Sequence, residues 1–188
     1  MREIANLIEK NKITNQVIKR SNKFDFNFFE SVTANKTHHE KYHSNFIHYL
    51  LNPKSSHNCG SYFLKKFIDN INSENIEFFK NIPENKLENA IARTENVITN
   101  GRRIDITIEY RKEWIIFIEN KIWHLEGEDQ IEDYYNFSLR YKNQLPVFLT
   151  PTKRNSETIN KKNDNKIICL GYNDFIRTWL QDCISGLI

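Results

Sequence analysis

Cysteine is scarce and scattered. Cys59, Cys169 and Cys183 are the three in 188 residues, far apart and in no metal-ligand spacing, which excludes a disulfide framework or cysteine zinc site and leaves reduced structural thiols. Long hydrophobic runs are missing too: no apolar stretch approaches the roughly 18 residues of a membrane span. The N-terminus, MREIANLIEKNK, has neither the apolar stretch nor the small-residue cleavage site of a signal peptide. A cytoplasmic protein with no membrane partner is expected. Strong charge of one sign is also absent, since the formal net charge is +3. That is too small to announce nucleic-acid binding by itself, but it leaves room for basic residues gathered in one groove.

Aromatic residues are plentiful, at 13%, which argues against disorder, and the length suits one domain with a proper core. Residues 1–35 read as an N-terminal helical flank, with a loose apolar pattern at Ile4, Leu7, Ile8, Ile13, Val17 and Ile18. Residues 36–188 read as the globular domain.

The most informative stretch is Gly101 to Lys121. Ile104, Ile106 and Ile108 alternate with Asp105, Thr107 and Glu109, the period of a half-buried strand. Trp114 to Ile118 is apolar on both faces, which suits a central strand covered on both sides, and it ends abruptly in Glu119-Asn120-Lys121. A hairpin turning about Lys112 sets Asp105 opposite Glu119, because the two are equidistant from the turn. Cross-strand Cβ atoms are about 5 Å apart. Two carboxylates that close repel unless one is protonated or a cation lies between them. Magnesium suits such a site, since it takes one or two carboxylates, a carbonyl and waters; the Asn120 backbone carbonyl is a further candidate ligand. Strand alternation puts Lys121 on the Glu119 face, where its ammonium can act on water and on phosphate charge.

Around this hairpin the chain reads as helices and further strands. Thr37-His38-His39-Glu40 matches a capping box opening a helix that runs to Leu51 and stops before Pro53. Glu40 therefore has two readings, a local cap and an acid delivered to the site. His38, His39, His43, His48 and His57 match no closed zinc spacing. Ser61 to Ile71 is a second amphipathic helix, and Asn72 to Glu88, polar and broken by Pro83, a connection with one helical turn. Ile91 to Ile98 is a first strand. Glu128 to Tyr141 is a helix on which Gln130 and Tyr134 share a face, with core packing of Tyr134 and surface exposure of Gln130 as the plain alternative. Pro146 to Leu149 and Ile167 to Leu170 are short strands, separated by a polar segment, Thr152 to Lys166, that reads as a mobile surface loop. Asp174 to Ile184 closes the chain as a helix. The fold class is α/β, a mixed sheet flanked by helices.

This order resembles the αβββαβ, restriction-endonuclease-like core of the PD-(D/E)XK nucleases, and specific segments resemble one bacterial family among them. They are Glu40 with His43-Ser44, Leu50-Leu51-Asn52-Pro53, His57 with Gly60 and Phe63-Leu64, Arg103-Ile104-Asp105-Ile106, Ile118-Glu119-Asn120-Lys121-Ile122, Gln130 with Tyr134, and Leu149-Thr150-Pro151. The resemblance implies that Asp105 and Glu119 are metal ligands, Lys121 the catalytic lysine and Glu40 an acid from the first core helix. Gln130 and Tyr134 match a Gln-x-x-x-Tyr motif that helps place substrate. The implied activity is Mg²⁺-dependent hydrolysis of DNA, with Mn²⁺ able to substitute, RNA as the second candidate substrate and defence against foreign DNA as the role. A homo-oligomer is compatible with it. Members often continue past the last helix read here, which implies a minimal member or one without a specificity region. The rival class is a non-catalytic nuclease-fold module that binds nucleic acid or a partner protein.

Overall fold

The computed structural model describes residues 39–71 and 76–187; the N-terminal flank and Thr37, the N-cap of the expected capping box, lie outside them. Helix α1, His39–Leu51, ends before Pro53 as expected. Helix α2, Tyr62–Asn70, buries Phe63, Leu64, Phe67 and Ile68, a stripe spaced for one helical face. Two short helices follow where the sequence suggests one turn: α3, Glu77–Lys80, and α4, Glu84–Glu88, which starts just after Pro83. Burial explains both, because each delivers one core side chain, Phe79 and Leu87 respectively.

Strand β1, Ile91–Val97, turns into β2, Arg103–Tyr110, through a loop in which Gly101 adopts a φ of 81°, a conformation a side chain would disfavour. A tight turn at Arg111 to Glu113, closed by the Glu113 N–H donating to the Tyr110 carbonyl at 3.1 Å, leads into β3, Trp114–Asn120, which is buried at every position. Helix α5, Gln130–Ser138, is the crossover that a parallel neighbour requires, and β4, Asn143–Thr150, returns beside β3. A 3₁₀ segment at Lys161–Lys166 precedes β5, Ile168–Gly171. A π-helical turn at Tyr172–Ile176 then runs into α6, Arg177–Ser185.

The sheet order is β1-β2-β3-β4-β5, antiparallel across β1/β2/β3 and parallel across β3/β4/β5. The continuous apolar run thus occupies the central strand, where both faces are covered. One face carries the larger core, in which Ile106, Ile108, Ile116, Ile118 and Val147 meet α1, α2 and α6. Trp179 of α6 is anchored there by its indole N–H donating to the Phe63 carbonyl at 3.1 Å. The other face carries a smaller core of Phe117, Phe148, Ile131 and Tyr134 under α5, which Ile104 also joins. Helices on both faces of a mixed sheet make the expected α/β architecture. No helix among the described residues is long and apolar enough to cross a membrane.

Candidate active site

Pairing between β2 and β3 sets Ile106 against Ile118 and Tyr110 against Trp114. That register, carried one residue further, brings Asp105 against Glu119. The backbone N–H of Asn120 donates to Asp105 Oδ2 at 2.8 Å, so the aspartate is fastened to the end of β3. Strand alternation sends Glu119 and Lys121 to the face covered by α5: Lys121 Nζ stands 3.1 Å from Glu119 Oε1. Asn120 points the other way, donating from Nδ2 to Ser44 Oγ at 3.1 Å and accepting the Tyr172 hydroxyl on Oδ1 at 3.1 Å.

Glu119 is 1% exposed. Its Oε1 also accepts from Gln130 Nε2 at 2.8 Å, while Oε2 is buried with no hydrogen-bond partner, the one carboxylate oxygen in that position among the described residues. A buried carboxylate oxygen without a donor is costly. Burial is the largest cause raising the Glu119 pKa, the charge of Asp105 adds to it, and Lys121 opposes both. Asp105 is pushed up as well, first by burial, against the Asn120 N–H and the Lys121 charge that pull it down. The orphaned oxygen and the two facing carboxylates fit a small hard cation, which binds oxygen and needs few protein ligands. No group of three or more His, Cys, Asp or Glu that could hold a metal occurs among the described residues, so carbonyl and water ligands would complete the shell.

Gln130 is a joint between these groups. Besides Glu119, its Nε2 donates to the Tyr134 hydroxyl at 2.9 Å, and its Oε1 accepts from the Gly127 N–H at 2.9 Å. Tyr134 is buried against Phe117 in an edge-to-face contact and donates to the Arg103 carbonyl at 2.6 Å. The Gln130–Tyr134 pair therefore ties α5 to the start of β2 and to the end of β3.

Glu40 lies apart from the carboxylate pair in its bonding. Its Oε1 accepts the backbone N–H groups of Ile122 at 2.8 Å, Trp123 at 2.7 Å and His124 at 3.0 Å, and its Oε2 faces His124 Nδ1 at 2.8 Å. Burial pushes the Glu40 pKa up, but the hydrogen bonds from His124, Trp123 and Ile122 outweigh it and hold the group below the ordinary glutamate value. The acid from α1 thus fixes the segment that follows β3.

Sequence reasoning missed Glu126. Its carboxylate accepts from Arg154 Nη1 at 2.7 Å, Thr158 Oγ1 at 2.8 Å, the Glu157 N–H at 3.2 Å and the Ser156 hydroxyl. Thr158 in turn accepts the N–H of Ile131 at 3.2 Å, in the first turn of α5. The segment after β4, expected to be mobile, is held by this buried acid and by Glu132, which accepts from the Asn160 N–H at 2.9 Å. Nothing in the local run Glu126-Gly127-Glu128-Asp129 marks which acid would be buried.

A cavity of about 610 Å³ opens elsewhere, lined by Asn70, Lys153, Asp164, Asp174 and Phe175 among others. It includes none of these site residues.

The family model described as the PD-(D/E)XK nuclease superfamily matches residues 26–188. No match was found among curated proteins or solved structures. With a mixed sheet that delivers an aspartate and a Glu-x-Lys from adjacent strands, and with that match over most of its length, the chain belongs to the PD-(D/E)XK nuclease superfamily.

Proposed function

We propose that the chain is a metal-dependent deoxyribonuclease that hydrolyses phosphodiester bonds by in-line attack of water. The observation that carries this reading is Glu119, a buried carboxylate with one oxygen unpartnered and the other held by Lys121 and Gln130. Asp105, Glu119 and the Asn120 carbonyl would hold Mg²⁺, or Mn²⁺ in its place, which when bound supplies a Lewis acid for the phosphoryl oxygen and lowers the pKa of water. Lys121 donates to the phosphate and stabilises the charge that builds on it in the transition state. Gln130 keeps one Glu119 oxygen turned away from the open position, and Tyr134 keeps Gln130 in place. Glu40 holds the backbone after Lys121 still.

A binding module without catalysis has no use for this arrangement. Two carboxylates with raised pKa values and an ammonium on buried strand ends are costly to hold together. The test is a gel assay on linear DNA, circular DNA and RNA with Mg²⁺, Mn²⁺ or EDTA. Metal-dependent cleavage of DNA that EDTA abolishes is expected. Cleavage of RNA alone would change the substrate, and no cleavage of any substrate with either metal would overturn the reading.

A further inference from the structure

Immediately after Lys121 the chain forms an arch tied down at two places. Glu40 takes the N–H groups of residues 122–124 and faces the His124 ring. Glu126, whose side chain is 1% exposed, is bonded to the segment Arg154 to Thr158. These contacts tie the His124 ring, itself 71% exposed, to Glu40 and bury the Glu126 side chain. The alternate residues, Trp123 and Leu125, stand in solvent at 75% and 81% exposed. Single exposed apolar residues are ordinary. Here two large ones project from backbone that two carboxylates immobilise, so their exposure is built in.

We infer that Trp123, with Leu125 two residues on, is a stacking platform for an unpaired nucleobase flanking the phosphate at Lys121. The inference rests on the nuclease reading of that lysine. Two residues of chain span at most about 7 Å, so a strand whose phosphate meets Lys121 passes the arch within about one nucleotide. An indole face stacks on any base and contributes about 1–3 kcal/mol, and an apolar side chain such as leucine can wedge between base steps and unstack them. A rigid platform loses little entropy on binding. Single strands and frayed duplex ends are therefore preferred over intact blunt duplex.

The protein carries its own probe. Of its three tryptophans, Trp114 and Trp179 are fully buried, so acrylamide-accessible emission reports Trp123. Titration with an oligothymidylate of about 12 nucleotides, in EDTA so that nothing is cut, should quench that emission and shield it from acrylamide. Trp123→Ala should raise the KM for the single strand by about 5- to 150-fold, with kcat changed far less, and Trp123→Phe should restore most of the loss. Emission that ignores the oligonucleotide while anisotropy shows it bound, or an unchanged KM in Trp123→Ala, overturns the inference and leaves the nuclease reading standing. Absence of cleavage by wild type with either metal would instead sink the nuclease reading, and the EDTA titration still decides whether Trp123 stacks on a base.

Discussion

Lys121 Nζ lies 3.1 Å from Glu119 Oε1 with its side chain 13% exposed, so its charge serves the site and little else. Lys121→Ala should lower cleavage by about 10²- to 10³-fold, as loss of a transition-state donor does, with Mg²⁺ binding and melting temperature close to wild type. Cleavage at the wild-type rate would remove Lys121 from the mechanism. Gln130 and Tyr134 act one step further out. Tyr134→Phe deletes the hydroxyl that donates to the Arg103 carbonyl and should cost about 1–2 kcal/mol in urea denaturation. Gln130→Ala removes a donor from Glu119 and should slow cleavage while the circular dichroism of the helices stays the same. If both variants cut at the wild-type rate, the pair is helix packing only.

At the scale of elements, the segments after β3 and β4 behave as one unit because Glu126 joins them. Burial pushes its pKa up, but the hydrogen bonds from Ser156, Arg154, Thr158 and the Glu157 N–H win, and the group stays below the ordinary glutamate value. A folded-state pKa below the unfolded one stabilises the protein at pH above the unfolded value, about 4.3, and that stability is lost as pH falls through the folded value. Glu126→Gln keeps the volume and removes the charge. The stability gap between wild type and Glu126→Gln should therefore be widest near neutral pH and shrink below about pH 4. Urea midpoints measured across that range check it, and a gap constant with pH would mean that the carboxylate's charge contributes nothing.

The same scale shows what was legible in the sequence. The facing of Asp105 and Glu119 follows from two apolar runs and a short turn, because register in a hairpin is set locally. The central place of β3 follows from its unbroken apolar run. Partners supplied by tertiary structure were not legible: the Ile122 to His124 N–H groups meet Glu40 across the fold, and Glu126 finds its donors beyond β4. For the same reason Thr152 to Lys166, polar except for Ile159, reads as a free loop. Gln130 and Tyr134 were legible as a pair on one helix face, but the Arg103 carbonyl that Tyr134 reaches was not.

For the whole molecule, the proposed metal site would link stability to ion binding. Without a cation the fold holds two facing carboxylates whose pKa values are raised, Glu119 by burial and then by the charge of Asp105, and Asp105 chiefly by burial. A divalent ion that binds only the native state adds RT ln(1 + [L]/Kd), about 1.4 kcal/mol at ten times its dissociation constant. In a chain of 188 residues that is a few degrees of melting temperature. Asp105→Asn should cancel the dependence, because one ligand and one negative charge are gone. It should also leave the metal-free melting temperature unchanged or raise it, since the amide ends the repulsion at similar volume; the Asn120 N–H can still donate to its oxygen. Thermal melts with millimolar Mg²⁺, Mn²⁺ and EDTA on both proteins decide the matter without a correct guess at the substrate. A full metal shift retained in Asp105→Asn would mean that the ion binds elsewhere. Where wild type alone shows no shift, the melt is repeated with an uncleavable DNA duplex, whose phosphate adds the remaining oxygen ligands, and a flat response there would mean that Asp105 and Glu119 share no ion.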